Sequence, residues 1–251
     1  MSPRMGAPAA GNRLLAAIPK ADRTAILATC ESTQLMFGAT LAEPESPIRH
    51  VYFPVSSYIS LITPKDASAS LEVGLVGNEG MLGITLALGI PTSPLKGLVQ
   101  GEGAALRMSA ANFRQAFRES AGFSRVLNAY LYVLMGQIAQ SAACGRFHRL
   151  EARLARWILM THDRAGASSF RITHEFLAHM LGVRRPGVSE AAGLLQKRRF
   201  IHYRHGVMQV LDRQGLERTT CACYRTFNRL YTRHLGQKVR AARGMQHAPA
   251  P

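Results

Sequence analysis

Acidic residues are scarce in this chain of 251 residues: 15 Asp and Glu stand against 31 Lys and Arg, a formal net charge of +16 at pH 7. That deficit points to a polyanionic partner. Cysteine is sparse as well. Four residues, Cys30, Cys144, Cys221 and Cys223, cannot build the dense disulfide framework of a small secreted domain. No stretch of about 18 apolar residues is free of charge, which argues against a membrane-spanning helix and a membrane partner. The opening residues, MSPRMGAPAAGNRLL, hold no apolar run long enough for a secretory signal, so a cytoplasmic location is expected. What the chain does have is apolar mass. At 47% hydrophobic and 18% charged residues it can bury a core, in one large or two modest domains.

The positive charge is unevenly placed. Residues 1–145 carry 11 Lys and Arg against 9 Asp and Glu, whereas residues 146–251 carry 20 against 6. A general bias toward arginine would have raised both halves, so the back half is the part expected to meet a polyanion. Residues 1–12 and 241–251 are rich in Ala, Gly and Pro and are expected to be disordered. Residues 13–30 read as a short helix with Leu14, Leu15, Ile18 and Ile26 as its apolar points. From 34 to about 108, short apolar runs alternate with Gly, Pro, Ser and Asn. Val51, Phe53 and Val55 fall on one strand face, and Ile59 and Leu61 on the next, the pattern of a β-sandwich or roll. Residues 109–162 read as helices, with Ser109 as a cap. Leu127, Leu131, Leu134 and Ile138 recur at spacings of four, three and four, the period of a helix packed along another helix. That stripe faces either its own domain or the same helix of a second subunit. Leu150, Leu154, Trp157 and Ile158 form the face of a further helix.

The sharpest signal is FRITHEFLAHMLGVRRPGVSEAAGLLQKRRFIHYRHGVMQVLD, residues 170–212. Thr173 is a good N-cap and Glu175 suits a positive helix start. Phe176, Leu177, Met180 and Leu181 make one apolar stripe, and Gly182 permits the left-handed turn that ends a helix sharply. A second helix follows, with Pro186 tolerated in its first turn and Val188, Ala191, Ala192 and Leu195 facing inward. Its opposite face shows Arg185, Ser189, Glu190, Gln196 and Lys197. Two helices joined by a tight glycine turn, the second cationic and polar, make a helix-turn-helix. An αα-hairpin with a solvated charged face has the same outline. The following FIHYRHGVMQVLD adds two short strands around His205-Gly206, a wing with Arg204 and His205 at its tip. Arginine reads guanine bidentately and glutamate accepts from cytosine N4, while Arg198, Arg199, Arg204 and His202 suit phosphates. Asp212 then caps a last helix running through LERTTCACYRTFNRLY.

These motifs, together with RLARWILMTHDR, resemble the Crp/Fnr family of bacterial transcription regulators over about residues 13–235. PIRHVYFPVSSYISL and VGLVGNEGMLGI are similar to that family's cyclic-nucleotide-binding-like roll. The resemblance implies an α+β fold: an N-terminal antiparallel β-roll at 13–121, a long dimerisation helix at 122–145 and a C-terminal winged helix-turn-helix at 146–235. It favours the intersubunit reading of Leu127, Leu131, Leu134 and Ile138. It implies a homodimer on a palindromic operator, with half-sites about 34 Å and 10 bp apart. Arg184, Arg185, Ser189 and Glu190 would read bases, with Pro186 where many members carry a polar reader. Thr173, Lys197, Arg198, Arg199, Arg204 and His205 would hold phosphates. Activation would add RNA polymerase as a partner, for which no motif is readable. Family members that bind cyclic AMP hold the ribose with a glutamate and the phosphate with an arginine. Here Met81 and Leu95 stand at those positions, with Lys96 the nearest cation, so cyclic AMP is not expected. Gly80 and Gly83 would offer backbone N–H groups at a helix start to some other small effector.

Cys221-x-Cys223 suggests metal or redox chemistry, but on one helix these two side chains point to different sides. A zinc site needs four ligands and a second pair is not evident, so neither a metal nor a cofactor is expected. Cys144 and His148 are four apart and would share a helix face as a thiol–imidazole pair. With no nucleophile turn or orienting acid nearby, no enzyme is expected. His174, His179, His202 and His205 read as solvated or phosphate-facing, and His50 as a strand residue. Two other classes stay open: a small-molecule sensor acting through protein or RNA partners, and a thiol or metal redox switch built on Cys144, Cys221 and Cys223.

Overall fold

The structure is a computed structural model that describes residues 11–63 and 70–236. The two composition-biased ends fall largely outside the described residues. Asn12 accepts a hydrogen bond from the Leu15 N–H and so caps α1 (Arg13–Ala16), which is followed by α2 (Lys20–Ala28). The single helix expected at 13–30 is thus two, broken at Pro19, whose ring blocks an uninterrupted hydrogen-bond ladder. Seven strands follow: β1 (Glu31–Leu35), β2 (Thr40–Ala42), β3 (His50–Pro54), β4 (Tyr58–Thr63), β5 (Leu71–Val76), β6 (Lys96–Gly101) and β7 (Gly103–Ser109). They form two antiparallel sheets ordered β1-β7-β3 and β2-β6-β4-β5. Val51 and Phe53 point into the roll with Ile59, Leu61, Val99, Leu106 and Met108. Along β4 burial does not alternate: Tyr58 through Ile62 are all buried. A strand covered on both faces has this signature, and here the second cover comes from the C-terminal half, since Tyr58 and Leu75 share a core with Leu154, Trp157 and Ile158.

Ser109 caps α3 (Ala110–Glu119), as its sequence position predicts, and Ser120 caps α4 (Ala121–Phe147). At 27 residues, α4 is about 40 Å long. It does not leave its leucine stripe bare. Leu127 and Leu134 are buried in the roll core with Phe227, Tyr231 and Leu235, and Leu131 and Ile138 are partly buried against it. Leu127 and Leu134, expected at a subunit interface, therefore belong to the chain's own interior. The large apolar side chains that α4 exposes are Tyr132, Met135 and Phe147.

The C-terminal part runs α5 (Leu150–Ala165), β8 (Ser169–Arg171), α6 (His174–Leu181), α7 (Arg185–Lys197), β9 (Ile201–Arg204), β10 (Val207–Val210), α8 (Arg213–Thr219) and α9 (Ala222–Leu235). The wing has three strands, ordered β8-β10-β9, one more than its sequence suggests. The last helix expected after Asp212 is also two. Asp212 caps α8 through a bond from the Gly215 N–H, and Thr220 and Cys221 are extended residues that break the chain before α9. After this break α9 runs back along α4 and places Phe227, Tyr231 and Leu235, one helical turn apart, in the roll core.

Buried polar contacts fix the roll against α5. Arg164 forms an ion pair with Glu79 at 2.6 Å, with both side chains at most 2% exposed. Arg164 also donates through Nη1 to the Met160 carbonyl and lies over the Phe227 ring. The Trp157 Nε1–H donates to Glu72 Oε1 at 3.0 Å. Among the described residues no helix is long and apolar enough to cross a membrane.

Candidate nucleic-acid interface

The paired helices α6 and α7 are assembled by local rules. Thr173 Oγ1 accepts from the Phe176 N–H at the start of α6, and Gly182 ends it at φ +62°. A side chain at that φ is strained, which is why glycine stands there. Arg184 is the N-cap of α7 and Arg185 its first residue, with Pro186 in the first turn. Val188, Ala191, Ala192 and Leu195 are all buried against α5 and the wing. The helix is therefore gripped by one face and bare on the other.

That bare face carries the four expected base readers. Arg184, Arg185, Ser189 and Glu190 are all exposed, as are Thr173, Lys197, Arg198, Arg199, Arg204 and His205 around them. The wing turns at His205 and Gly206, whose φ values are +50° and +74°. Two successive positive φ angles match the twist of a two-residue hairpin, and they hold Arg204 and His205 at the tip.

Not all of these side chains are equally free. Arg198 is ion-paired with Glu151 at 2.6 Å, so a phosphate would have to compete with a carboxylate for it. The Thr173 oxygen is committed as a helix cap, which leaves its O–H as a donor. Gln196 turns away from a reading role, because its Oε1 accepts from the Tyr203 N–H at 2.7 Å and ties α7 to the wing. Ser189 Oγ lies 2.9 Å from His174 Nδ1, and the His174 ring stacks on Tyr203 with centroids 4.4 Å apart. Burial and the neighbouring Arg185 charge push His174 below the ordinary imidazole range. His174 thus holds the Ser189 hydroxyl one turn along α7 from Arg185. The sequence assigns His174 to solvent or phosphate; its stacking partner lies 29 residues downstream, where helix periodicity gives no signal.

The segment assigned to an effector is differently occupied. Met81 is fully buried, and the Tyr130 hydroxyl donates to its carbonyl at 3.1 Å. A Cβ on Gly80 would sit 2.4 Å from that hydroxyl, so glycine is there to admit Tyr130. The Gly80 N–H is already bonded to the Gly77 carbonyl, and the helix start at Gly83 is a short 3₁₀ turn, Ile84–Leu88. The expectation of free backbone N–H groups at Gly80 therefore fails: α4 packs its tyrosine where a ligand would approach. Lys96 is ion-paired with Glu43 at 3.2 Å. A shallow pocket of about 300 Å³ opens beside Gly83, lined by Glu43, Arg49, His50, Tyr52 and Leu82.

Cys221 and Cys223 do not point to different sides of one helix. Because the chain breaks at Thr220, Cys221 is the cap of α9 rather than an interior residue. Its thiol and that of Cys223 meet Cys144 and His148, with all four ligating atoms within 4.8 Å of one another. The missing second pair is the Cys144–His148 pair on α4, and reading the two spacings together was the signal available.

Comparison with known proteins fits this geometry. Residues 152–219 match the family model of the Crp-like helix-turn-helix domain. No curated protein matches the chain. Among solved structures, FixK2 from Bradyrhizobium japonicum is similar at a TM-score of 0.65 and 14% identity, covering 77% of this chain and 98% of that one. A CRP-family transcriptional regulator from Thermus thermophilus gives 0.63 and 15%, over 84% and 100%. The c-di-GMP-responsive global regulator CLP of Xanthomonas campestris gives 0.61 and 17%, over 76% and 99%. Identities this low speak for the fold, and the helix-turn-helix match speaks for the domain that reads DNA. Residues 152–219 are therefore a Crp-like helix-turn-helix domain, set in a chain whose fold is that of the Crp/Fnr-type transcription regulators it resembles in structure.

Proposed function

We propose that the chain is a homodimeric, sequence-specific regulator that binds a palindromic operator in the cytoplasm. The observation that carries this reading is the two-sidedness of α7: four apolar residues fully buried, and Arg184, Arg185, Ser189 and Glu190 exposed beside a cationic wing. A helix held proud of its domain in this way fits the major groove. The dimer contact is assigned to the open face of α4, where Tyr132 and Met135 are exposed and Leu131 and Ile138 half-covered. A small effector, if one acts, would bias the DNA-competent arrangement only through unequal affinity for the two states. The space filled by Met81 and Tyr130 speaks against cyclic AMP at that position. RNA polymerase would be the further partner if the regulator activates.

Selection of bound duplexes from a random pool at fixed salt tests this. A palindrome with half-sites one turn apart is expected. Arg185→Ala should lose about 1–3 kcal/mol and relax preference at one base pair per half-site. Unchanged preference at every position would remove α7 from the interface.

A further inference from the structure

The far end of α4 carries a cluster that DNA reading does not use. Cys144 lies in the last turn of α4 and His148 ends that helix, while Cys221 caps α9 and Cys223 lies in its first turn. Cys144 Sγ is 3.5 Å from Cys221 Sγ, and Cys223 Sγ is 3.5 Å from His148 Nδ1. A tetrahedral zinc ion, with bonds of about 2.3 Å to sulfur and 2.0–2.1 Å to nitrogen, holds its sulfurs about 3.8 Å apart and sulfur from nitrogen about 3.5 Å apart. Those two spacings already stand close to these values, and all four ligating atoms lie within 4.8 Å of one another although Cys144 and Cys221 are 77 residues apart. The three cysteines are buried and form a small core of their own, with Ala152 packed against it. They face one another rather than filling gaps among aliphatic side chains.

The surroundings suit a metal thiolate. Gln140 Nε2 donates to Cys223 Sγ at 3.0 Å, the kind of outer contact that orients a ligand. The positive end of α9 lies at Cys221. Arg153 and Arg156 act electrostatically on Cys144, which offsets the excess negative charge that three thiolates leave on a divalent ion.

We propose that Cys144, His148, Cys221 and Cys223 form a closed site for a soft divalent cation, Zn²⁺ foremost, that staples the α4–α5 hinge to the α8–α9 junction. Three sulfurs and one imidazole fill a tetrahedron and leave no open position, so the site is structural or regulatory rather than catalytic. Loading from the thiol form joins one divalent ion to three thiols and a neutral imidazole and releases three protons, leaving a complex of charge −1. The ion would fix the angle between the helix shared with the roll and the domain that reads DNA.

The test uses the full chain, reduced and purified without chelator. Metal analysis should find one zinc per chain, released by a thiol-blocking mercurial. Reconstitution of the metal-free chain with Co²⁺ should give the intense visible bands of a tetrahedral site and thiolate-to-cobalt charge transfer. His148→Ala, at a half-exposed position, should weaken Co²⁺ binding by at least about tenfold, and Cys223→Ser should diminish the charge-transfer bands. A reduced chain that takes up neither ion stoichiometrically overturns the site, as does Co²⁺ binding unaffected by both substitutions. A Cys144–Cys221 disulfide formed in air by a chain that, once reduced, still binds no metal would also overturn it and assign the cluster to thiol redox chemistry.

Discussion

Replacing Arg164 by methionine should cost more than any surface change in this protein. Arg164 contributes four contacts from a buried position. Its Nη2 and Nε reach Glu79 Oε1 at 2.6 and 2.7 Å, its Nη1 reaches the Met160 carbonyl at 2.8 Å, and its guanidinium lies 5.5 Å from the Phe227 ring centre. Methionine keeps the stem and most of the volume but leaves the Glu79 carboxylate buried without its cation. Breaking a buried pair from one side typically costs about 3–5 kcal/mol, because the remaining charge stays in a low-dielectric site. Against a total stability of about 5–15 kcal/mol, that is a large share. The loss should be recovered in part by Glu79→Gln in the same chain, since a neutral amide removes the stranded charge and the Gly77 N–H, now at 3.2 Å from Glu79 Oε1, keeps an acceptor. Urea unfolding at pH 7 of the parent, both singles and the double gives the coupling directly. If Arg164→Met lies within about 1 kcal/mol of the parent, or the double is no better than the single, the pair does not hold the roll to α5.

Arg204→Ala at the wing tip should weaken binding to all duplexes alike and lower the salt slope by about one unit, read from binding isotherms at several salt concentrations; a change confined to one base position would make Arg204 a reader instead. Burial pushes the Glu72 carboxyl up from 4.5 to about 7, against the hydrogen bonds from Ser60 and Trp157 that oppose the shift. A folded-state value above the unfolded one gives stability that is complete below pH 4.5 and is lost as pH rises toward 7, at up to about 1.4 kcal/mol per pH unit in that window; Glu72→Gln should flatten this dependence in unfolding curves taken from pH 4.5 to 8. Gly182→Ala should destabilise by about 1–2 kcal/mol, because the αL turn at φ +62° strains any Cβ; a thermal midpoint equal to the parent's would show that the turn can relax.

What could be read from the sequence was what is decided within a few residues. Thr173, Ser109 and Asp212 cap the helices their positions predict, since a cap depends only on an oxygen and the N–H groups two or three residues on. The buried face of α7 was legible for a similar reason, as a 3.6-residue period survives any tertiary context. One misreading was local, the break at Pro19 within residues 13–30; the others bear on contacts between distant segments. Residues 213–231 look like one helix because no Pro or Gly marks the break at Thr220 and Cys221, and that break alone turns both thiols toward α4. The stripe at Leu127 and Leu134 has the period of a helix seam but not the identity of the partner, which proves to be Phe227, Tyr231 and Leu235 of the same chain. Glu79 and Arg164 are 85 residues apart, and no local pattern links them.

These distant contacts converge on one short loop. Residues 77–81 touch three helices at once: Glu79 through its carboxylate to Arg164 of α5, its carbonyl to the Tyr231 hydroxyl of α9, and Met81 through its carbonyl to Tyr130 of α4. Such a loop cannot change shape while all three remain bonded, because close-packed interiors shift between discrete arrangements rather than deforming smoothly. The loop belongs to the roll, and α5 is the first helix of the DNA-reading domain. A perturbation at Met81 must therefore either be absorbed by Tyr130, which fills the space above Gly80, or break the ion pair that seats α5. The cysteine cluster lies about 20 Å further along α4, counted from Tyr130 to Cys144 at 1.5 Å per residue. The C-terminal part is thus tied to the roll and its long helix at two separated points, one the ion pair from the 77–81 loop to α5 and the other the thiol–imidazole group between α4 and α9. Two points fix a rotation that one would leave free, and loosening either should change the angle at which α7 is presented.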